Sequence, residues 1–438
     1  MNSHSPLISL CRAGRRPPSG SLWRQLALAG LLTLASACSF AQTAASAPAG
    51  AASTPSLSAE VGKLLQAAQD ALKAGNFKDA LSRVAAAEAM PALSPYERYI
   101  ILRLKAPASF GAGDLNTAVV LFESIIESPL LPATERLLIA ETTVKLLLQQ
   151  KEYARAASRM KAYLADGGSS AEMRRLYPQV LSVLGDHAGV LRELAPQLAA
   201  DDAAKRASPE AVLRLLAASQ SALKDMPAYI GTLERLAGTT GKPEYWAELI
   251  SRLARRDGFA QERLQLDVYR LRRATGAALA ADELGDMAYR AQQAGLPAEA
   301  QGLLDEGFAS GLLGKDGNAA ADRKLLEAAT KAAAQDRAGL ADGEAEALKA
   351  KDGNAAIGLG LALSATGAHD RALALMSQGM AKGGLRRADD ARLHQGVAQW
   401  RAGKLEEAKR SFAAVQGTDG AADLARLWQL HLGRLPAP

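Results

Sequence analysis

Gly75, Gly113, Gly295, Gly367 and Gly403 each stand at a short break between helical stretches, and each is followed five residues later by an alanine. The spacing is regular: 38 residues from Gly75 to Gly113, 36 from Gly367 to Gly403, and 72, two periods, from Gly295 to Gly367. The 182 residues from Gly113 to Gly295 hold about five more periods, with weaker turns at Lys151, Gly185, Lys224 and Gly258, and another falls near Asp336. A second self-similarity has the same period. Lys315-Asp316-Gly317-Asn318-Ala319-Ala320 returns 36 residues later as Lys351-Asp352-Gly353-Asn354-Ala355-Ala356. One fixed period is the mark of a repeat architecture, in which each unit buries its apolar face against its neighbours. The length of 438 residues would otherwise suggest two or three globular domains.

Between the breaks the apolar residues recur at helical spacing, as at Leu64, Leu65, Ala68 and Leu72, or Leu137, Leu138, Val144, Leu147 and Leu148. No alternating β-branched run bounded by hairpin turns interrupts them, so the chain is expected to be all-α, an array of about ten helix-turn-helix units. Alanine is abundant and aromatic residues make up only 5%, which suits closely approaching helices better than a large aromatic pocket.

At the turns the chain resembles the tetratricopeptide repeat (TPR) family. That family's pattern runs Gly-x-Tyr/Phe-x-x-Ala-x-x-x-Phe-x-x-Ala from the turn into the second helix. Gly75, Phe77, Ala80, Val84 and Ala87 fit it, as do Gly113, Leu115, Ala118 and Phe122, and Gly403, Leu405, Ala408 and Phe412 with Gly396 at the earlier small position. Lys151 replaces the turn glycine while Tyr153 and Ala156 keep register, and Gly367, His369, Ala372 and Met376 follow more loosely. The resemblance covers residues 60–434 and is weakest over 185–290. It implies a right-handed α–α superhelix, a solenoid whose concave groove holds a partner, with no catalysis and no cofactor.

Residues 1–41 do not read as part of that array. Arg12, Arg15, Arg16 and Arg24 make a basic leader without an acidic residue, followed by an apolar run over residues 26–34 and the small residues Ala35, Ser36 and Ala37. That order is the order of an export signal. The apolar run is shorter than the roughly 20 residues that span a bilayer, so no transmembrane helix is expected in the mature protein. Two cleavage points compete. Leu34-Ala35-Ser36-Ala37-Cys38 resembles a lipobox, which would make Cys38 an acylated first residue anchored to the outer membrane. Ser39-Phe40-Ala41 would instead release a soluble periplasmic protein beginning at Gln42. Residues 42–58, rich in Ala, Ser, Thr and Pro, read as a flexible linker, and residues 59–438 as the repeat domain.

Removing the leader changes the charge argument. The full chain has 52 Lys and Arg against 46 Asp and Glu; without the leader's four arginines the balance is 48 to 46, net +2. A nucleic-acid partner calls for a basic face, and this near balance excludes one. The two cysteines, Cys11 and Cys38, leave the repeat domain without disulfides or thiol chemistry.

No catalytic constellation stands out. The two Asp-Gly-Asn sequences lack the alternating oxygen ligands and closing Glu of a calcium loop and read as capping turns. His187, His369, His394 and His431 lie far apart in sequence, without metal-ligand spacing, and His187 and His369 at turns read as surface residues. Gly358-Leu359-Gly360 follows no strand and reads as helix packing. Among the aromatics Tyr96, Tyr99, Tyr153, Tyr163, Tyr245, Trp246 and Trp400, the pair Tyr245-Trp246 opens a first helix after Pro243 and is the expected partner-binding position. The sequence thus predicts a non-enzymatic envelope scaffold that holds a protein partner, with direct binding of an envelope glycan or polymer as the alternative.

Overall fold

The computed structural model describes residues 56–315 and 317–435. The leader, Cys38, most of the linker and Asp316 of the first Asp-Gly-Asn sequence lie outside the described residues. Among the described residues there are 21 helices and no strand. They form ten successive pairs and a last helix: α1 (Ala59–Lys73) with α2 (Phe77–Glu88), α3 (Pro95–Gly111) with α4 (Leu115–Glu127), α5 (Ala133–Gln149) with α6 (Tyr153–Ala165), and α7 (Ala171–Val183) with α8 (His187–Ala203). Then come α9 (Glu210–Ala222) with α10 (Met226–Thr240), α11 (Pro243–Ala254) with α12 (Gln261–Ala274), and α13 (Ala281–Gln293) with α14 (Pro297–Ala309). The series ends with α15 (Ala319–Ala338) and α16 (Leu340–Lys349), α17 (Asn354–Ala365) and α18 (His369–Lys382), α19 (Ala388–Arg401) and α20 (Leu405–Ala413), and α21 (Ala421–Leu432). No described helix is long and apolar enough to cross a membrane.

The turns explain the period. After α1, Gly75 adopts φ 76°, the Gly75 amide donates to the Leu72 carbonyl at 3.0 Å and the Asn76 amide to the Ala71 carbonyl at 2.8 Å. This pair of bonds satisfies carbonyls that the helix end would leave without donors. The same two bonds recur after α3, α5 and α19. At α5 the left-handed residue is Lys151, φ 62°, and after α9 it is Lys224, φ 60°. Both bear the steric cost of a Cβ in that region. Near Asp336 the helix instead runs on, and the break falls at Gly339 with φ −93°, so the α15–α16 corner lacks the left-handed turn.

Packing follows the same register. Ala80, Ala118, Ala156, Ala300, Ala372 and Ala408, each five residues past its turn residue, are fully buried. So are the larger Val84, Met160, Leu304, Met376 and Phe412 four residues further on. Opposite them, on the first helix of the pair, stands a small residue. A Cβ on Gly396 would lie 2.5 Å from the Phe412 ring, and one on Gly360 would lie 2.3 Å from Met376 Cγ and 2.9 Å from the Ala372 carbonyl. Two helices can cross this closely only with the small partner in place.

The repeat region divides into two compact units, the first ending at Pro196 and the second beginning at Gln197, with the division inside α8. In the first unit a capping box fixes the start of α3. The Ser94 hydroxyl accepts from the Glu97 amide at 3.2 Å, and the Glu97 carboxylate accepts from the Ser94 amide at 2.8 Å. Its other oxygen accepts from the amide and hydroxyl of Ser58 at 2.9 and 2.7 Å, tying the start of α1 to α3. Those backbone bonds from Ser58 and Ser94 bring the Glu97 carboxyl down to about 2.

The second unit departs from the open groove that the resemblance implies. Its last helix, α21, packs against α19 and α20 and also against α10 and α12, so the array returns upon its own earlier part. Arg263 pairs with Asp390 and Asp419, Arg256 with Asp423 at 2.6 Å, and the Ala260 amide donates to the Asp419 carbonyl at 2.8 Å. The interior is filled from within: Leu361 of α17 joins one apolar cluster with Leu266, Tyr269, Met287, Leu303 and Leu304. Trp428 of α21 is fully buried, stacked on Phe412 at 5.6 Å and tilted against Trp400 at 4.8 Å.

Candidate functional site

The most unusual chemistry of the second unit is a charged network in this interior. Arg270, near the end of α12, donates from Nε and Nη2 to the two oxygens of Glu299 on α14, at 3.0 and 2.6 Å. Its Nη1 donates to Asp267 Oδ1 at 2.8 Å, one turn back on α12. Arg401, at the end of α19, donates from Nη2 to Glu299 Oε1 at 2.6 Å, and His394 Nε2 lies 3.2 Å from Asp267 Oδ2. The side chains of Asp267, Arg270 and Glu299 are buried, and those of His394 and Arg401 partly so.

Burial alone would raise the Glu299 carboxyl, but the guanidinium groups of Arg270 and Arg401 outweigh it and bring it down to about 2. Burial likewise pushes Asp267 up, and His394 with Arg270 holds it well below the usual carboxylate range. Desolvation disfavours the Arg270 charge, yet Glu299 and Asp267 keep it above its ordinary value. Charges locked to each other in this way are poor proton donors and acceptors near neutral pH. They brace α12, α14 and α19.

Arg270 separates two clefts. One, about 570 Å³, reaches toward Ser364, His369 and Trp400; the other, about 490 Å³, is lined by Arg263, Asp267, Tyr289 and His394. Among the described residues no group of three or more His, Cys, Asp or Glu side chains could hold a metal ion.

The residues singled out by sequence are placed differently from that network. Trp246 is fully buried, its ring edge-on to His431 at 5.9 Å, so its indole is a core group that presents no surface to a partner. Tyr245 is half-buried and its hydroxyl donates to Glu210 at 2.6 Å. Burial, aided by Glu210, pushes that phenol up to about 12. Tyr99 and Tyr163 are buried; Tyr99 accepts from Arg103 at 3.2 Å and Tyr163 donates to Glu141 at 2.6 Å. His369, expected at the surface, is half-buried and lines the larger cleft. In the second Asp-Gly-Asn sequence the Asp352 carboxylate accepts from the Asn354 amide at 2.9 Å, a capping turn. Sequence reasoning missed the Arg270 network, because its partners lie up to 127 residues apart and each charge sits on an ordinary amphipathic helix.

No protein-family model matches the chain, and no curated protein does. Among solved structures the chain is similar to the crystal structure of the P58(IPK) TPR domain. The identity is 16%, over 86% of this chain and 98% of that one, with a TM-score of 0.24. The chain is TPR-like on its own geometry: helices in pairs, left-handed turns near a fixed period, and buried small and large residues in matching register.

Proposed function

We propose that the protein is a non-enzymatic scaffold of the bacterial envelope that binds a protein partner. The observation that carries this reading is the distribution of exposed apolar side chains over stacked helix pairs. Val120, Leu130, Leu138, Val183 and Leu184 of the first unit are all more than a third exposed. The longer second unit exposes Leu223, Tyr289, Leu312 and Leu348, so the first unit carries the denser set of exposed apolar side chains to offer a partner. The export-type leader and the lipobox-like Cys38 support a periplasmic site, either soluble or held at the outer membrane.

A photo-crosslinking side chain at position 138 or 183, in intact cells, should capture one protein reproducibly. The same probe at an exposed position of the second unit, such as 348, should capture little. Capture of glycan or lipid alone from every position would overturn the reading. A second reading, direct glycan binding, is supported by Tyr289, which is 53% exposed beside Asp282 and Asp286 in a shallow cleft of about 330 Å³. Loss of polymer binding on Tyr289→Ala would favour it.

A further inference from the structure

Lys382, the last residue of α18, reaches across to the end of α16, where its Nζ donates to the carbonyls of Leu348 and Ala350 at 2.6 and 2.5 Å. The loops that follow these two helices are joined as well. The Gly353 amide donates to the Gly383 carbonyl at 2.9 Å, and the Asn354 side-chain amide to the Gly384 carbonyl at 3.2 Å. In return the Arg386 amide donates to Asn354 Oδ1 at 3.1 Å. Residues 348–354 and 382–387 thus form one bonded double loop at the ends of neighbouring helix pairs.

The double loop is basic. Lys349, Lys351, Lys382, Arg386 and Arg387 stand against Glu346 and Asp352, an excess of three positive charges. Asp389 and Asp390, next along the chain, are taken up by Arg392 and Arg263. Cations at helix ends answer the helix dipole, which accounts for Lys349 and Lys382. It does not account for Lys351, Arg386 and Arg387. These stand outside the helices, are exposed and, among the described residues, join no ion pair. The corresponding loops of the first unit, residues 89–94, 128–132 and 166–170, hold no cation. Leu348, 42% exposed, is set among these charges with its carbonyl bonded to Lys382. A soluble anion is met by the cations alone and leaves Leu348 in water. A membrane of anionic lipid engages both, since its phosphates meet the cations while the apolar side chain enters the acyl boundary.

We infer that this double loop docks on a membrane surface rich in anionic phospholipid, with Leu348 in the acyl boundary and Lys351, Arg386 and Arg387 on the phosphates. Position 348 then faces lipid, in keeping with the little protein expected to be captured there. The docking is independent of which protein the first unit holds.

A photo-crosslinking side chain at position 348 of the full chain, mixed with vesicles at subsaturating lipid, tests the inference. The same probe at position 223, exposed on the turn after α9, reports any lipid gathered by the basic leader. Phosphatidylglycerol vesicles at low salt should label 348 at least about tenfold more than 223, and phosphatidylcholine vesicles should label neither. Replacing Arg386 and Arg387 together by Gln removes two charges and no ion pair, so Tm should hold while labelling at 348 falls about tenfold or more. Salt at about 0.5 M should do the same by screening, and Lys351→Gln alone should lower labelling about fivefold. Equal labelling at 348 and 223, equal labelling by the two lipids, or labelling untouched in the Gln variants would overturn the inference. So would stronger labelling of 348 by polyglutamate than by the anionic vesicles, which would assign the cations to an acidic protein.

Discussion

Replacing Glu299 by Gln keeps the side-chain shape and removes one buried charge. Glu299 accepts three charge-assisted bonds, at 3.0, 2.6 and 2.6 Å, from Arg270 and Arg401. An amide offers one acceptor oxygen and turns its NH₂ toward guanidinium groups that need acceptors. Lowering the carboxyl from 4.5 to about 2 corresponds to about 3 kcal/mol, at about 1.4 kcal/mol per tenfold. Breaking a buried ion pair typically costs about 3–5 kcal/mol. Arg270 keeps Asp267 at 2.8 Å, which places the expected loss near the lower end.

The assay is urea unfolding followed by tryptophan emission. Trp246, Trp400 and Trp428 all lie in the second unit, and the fourth, Trp23, is in the leader, so the signal isolates the affected unit. The midpoint should fall by about 1–2 M urea. The pH dependence supplies a second check. The Glu299 carboxyl is more acidic folded than unfolded, so its stabilisation is present above 4.5 and is lost as pH falls toward about 2. The gap between wild type and Glu299→Gln should therefore be widest near neutral pH and close on acidification. A loss below about 1 kcal/mol, the range of solvent-screened surface pairs, or a gap indifferent to acid would refute the argument.

Trp428→Ala should cost the second unit about 3–5 kcal/mol by leaving a cavity between Phe412 and Trp400, read as a fall in the Trp246 emission midpoint. Gly358 and Gly360 separate helix propensity from packing, since a Cβ on Gly358 meets nothing within 4 Å while one on Gly360 meets Met376 and the Ala372 carbonyl. Calorimetry should show Gly358→Ala stabilising by about 0.5–1 kcal/mol and Gly360→Ala destabilising. Lys151→Gly and Lys224→Gly relieve a left-handed residue carrying a Cβ, and each should raise the unfolding free energy by about 1 kcal/mol; unchanged or lower values would show that the lysine side chains hold the turns.

Much of the fold was legible because its determinants are local. The turn at Gly75 and the packing of Ala80 and Val84 lie within ten residues of each other, and the chain repeats them, so each copy checks the next. The closure of the second unit left no such trace. Arg263 meets Asp390 across 127 residues and Trp246 meets His431 across 185. Trp246 after Pro243 looks like any aromatic at the exposed start of a helix until the returning α21 covers it. Arg270 and Arg401 each sit among other charges on a polar-looking helix, and only the folded array sets Glu299 between them. The burial of Ser364 Oγ and His369 Nδ1 without partners was equally silent, because burial is decided by neighbours far along the chain.

The return of α21 onto α10 and α12 has a consequence for how such a chain can change over time. An open stack tolerates the gain or loss of a helix pair, since each added unit brings its own interface. A stack whose tail is seated on its own earlier turns does not: one more pair would carry His431 away from Trp246 and move Arg263 out of reach of Asp390 and Asp419. The copy number between α10 and α21 is therefore pinned by geometry, and duplications should accumulate before that closed segment and be excluded within it.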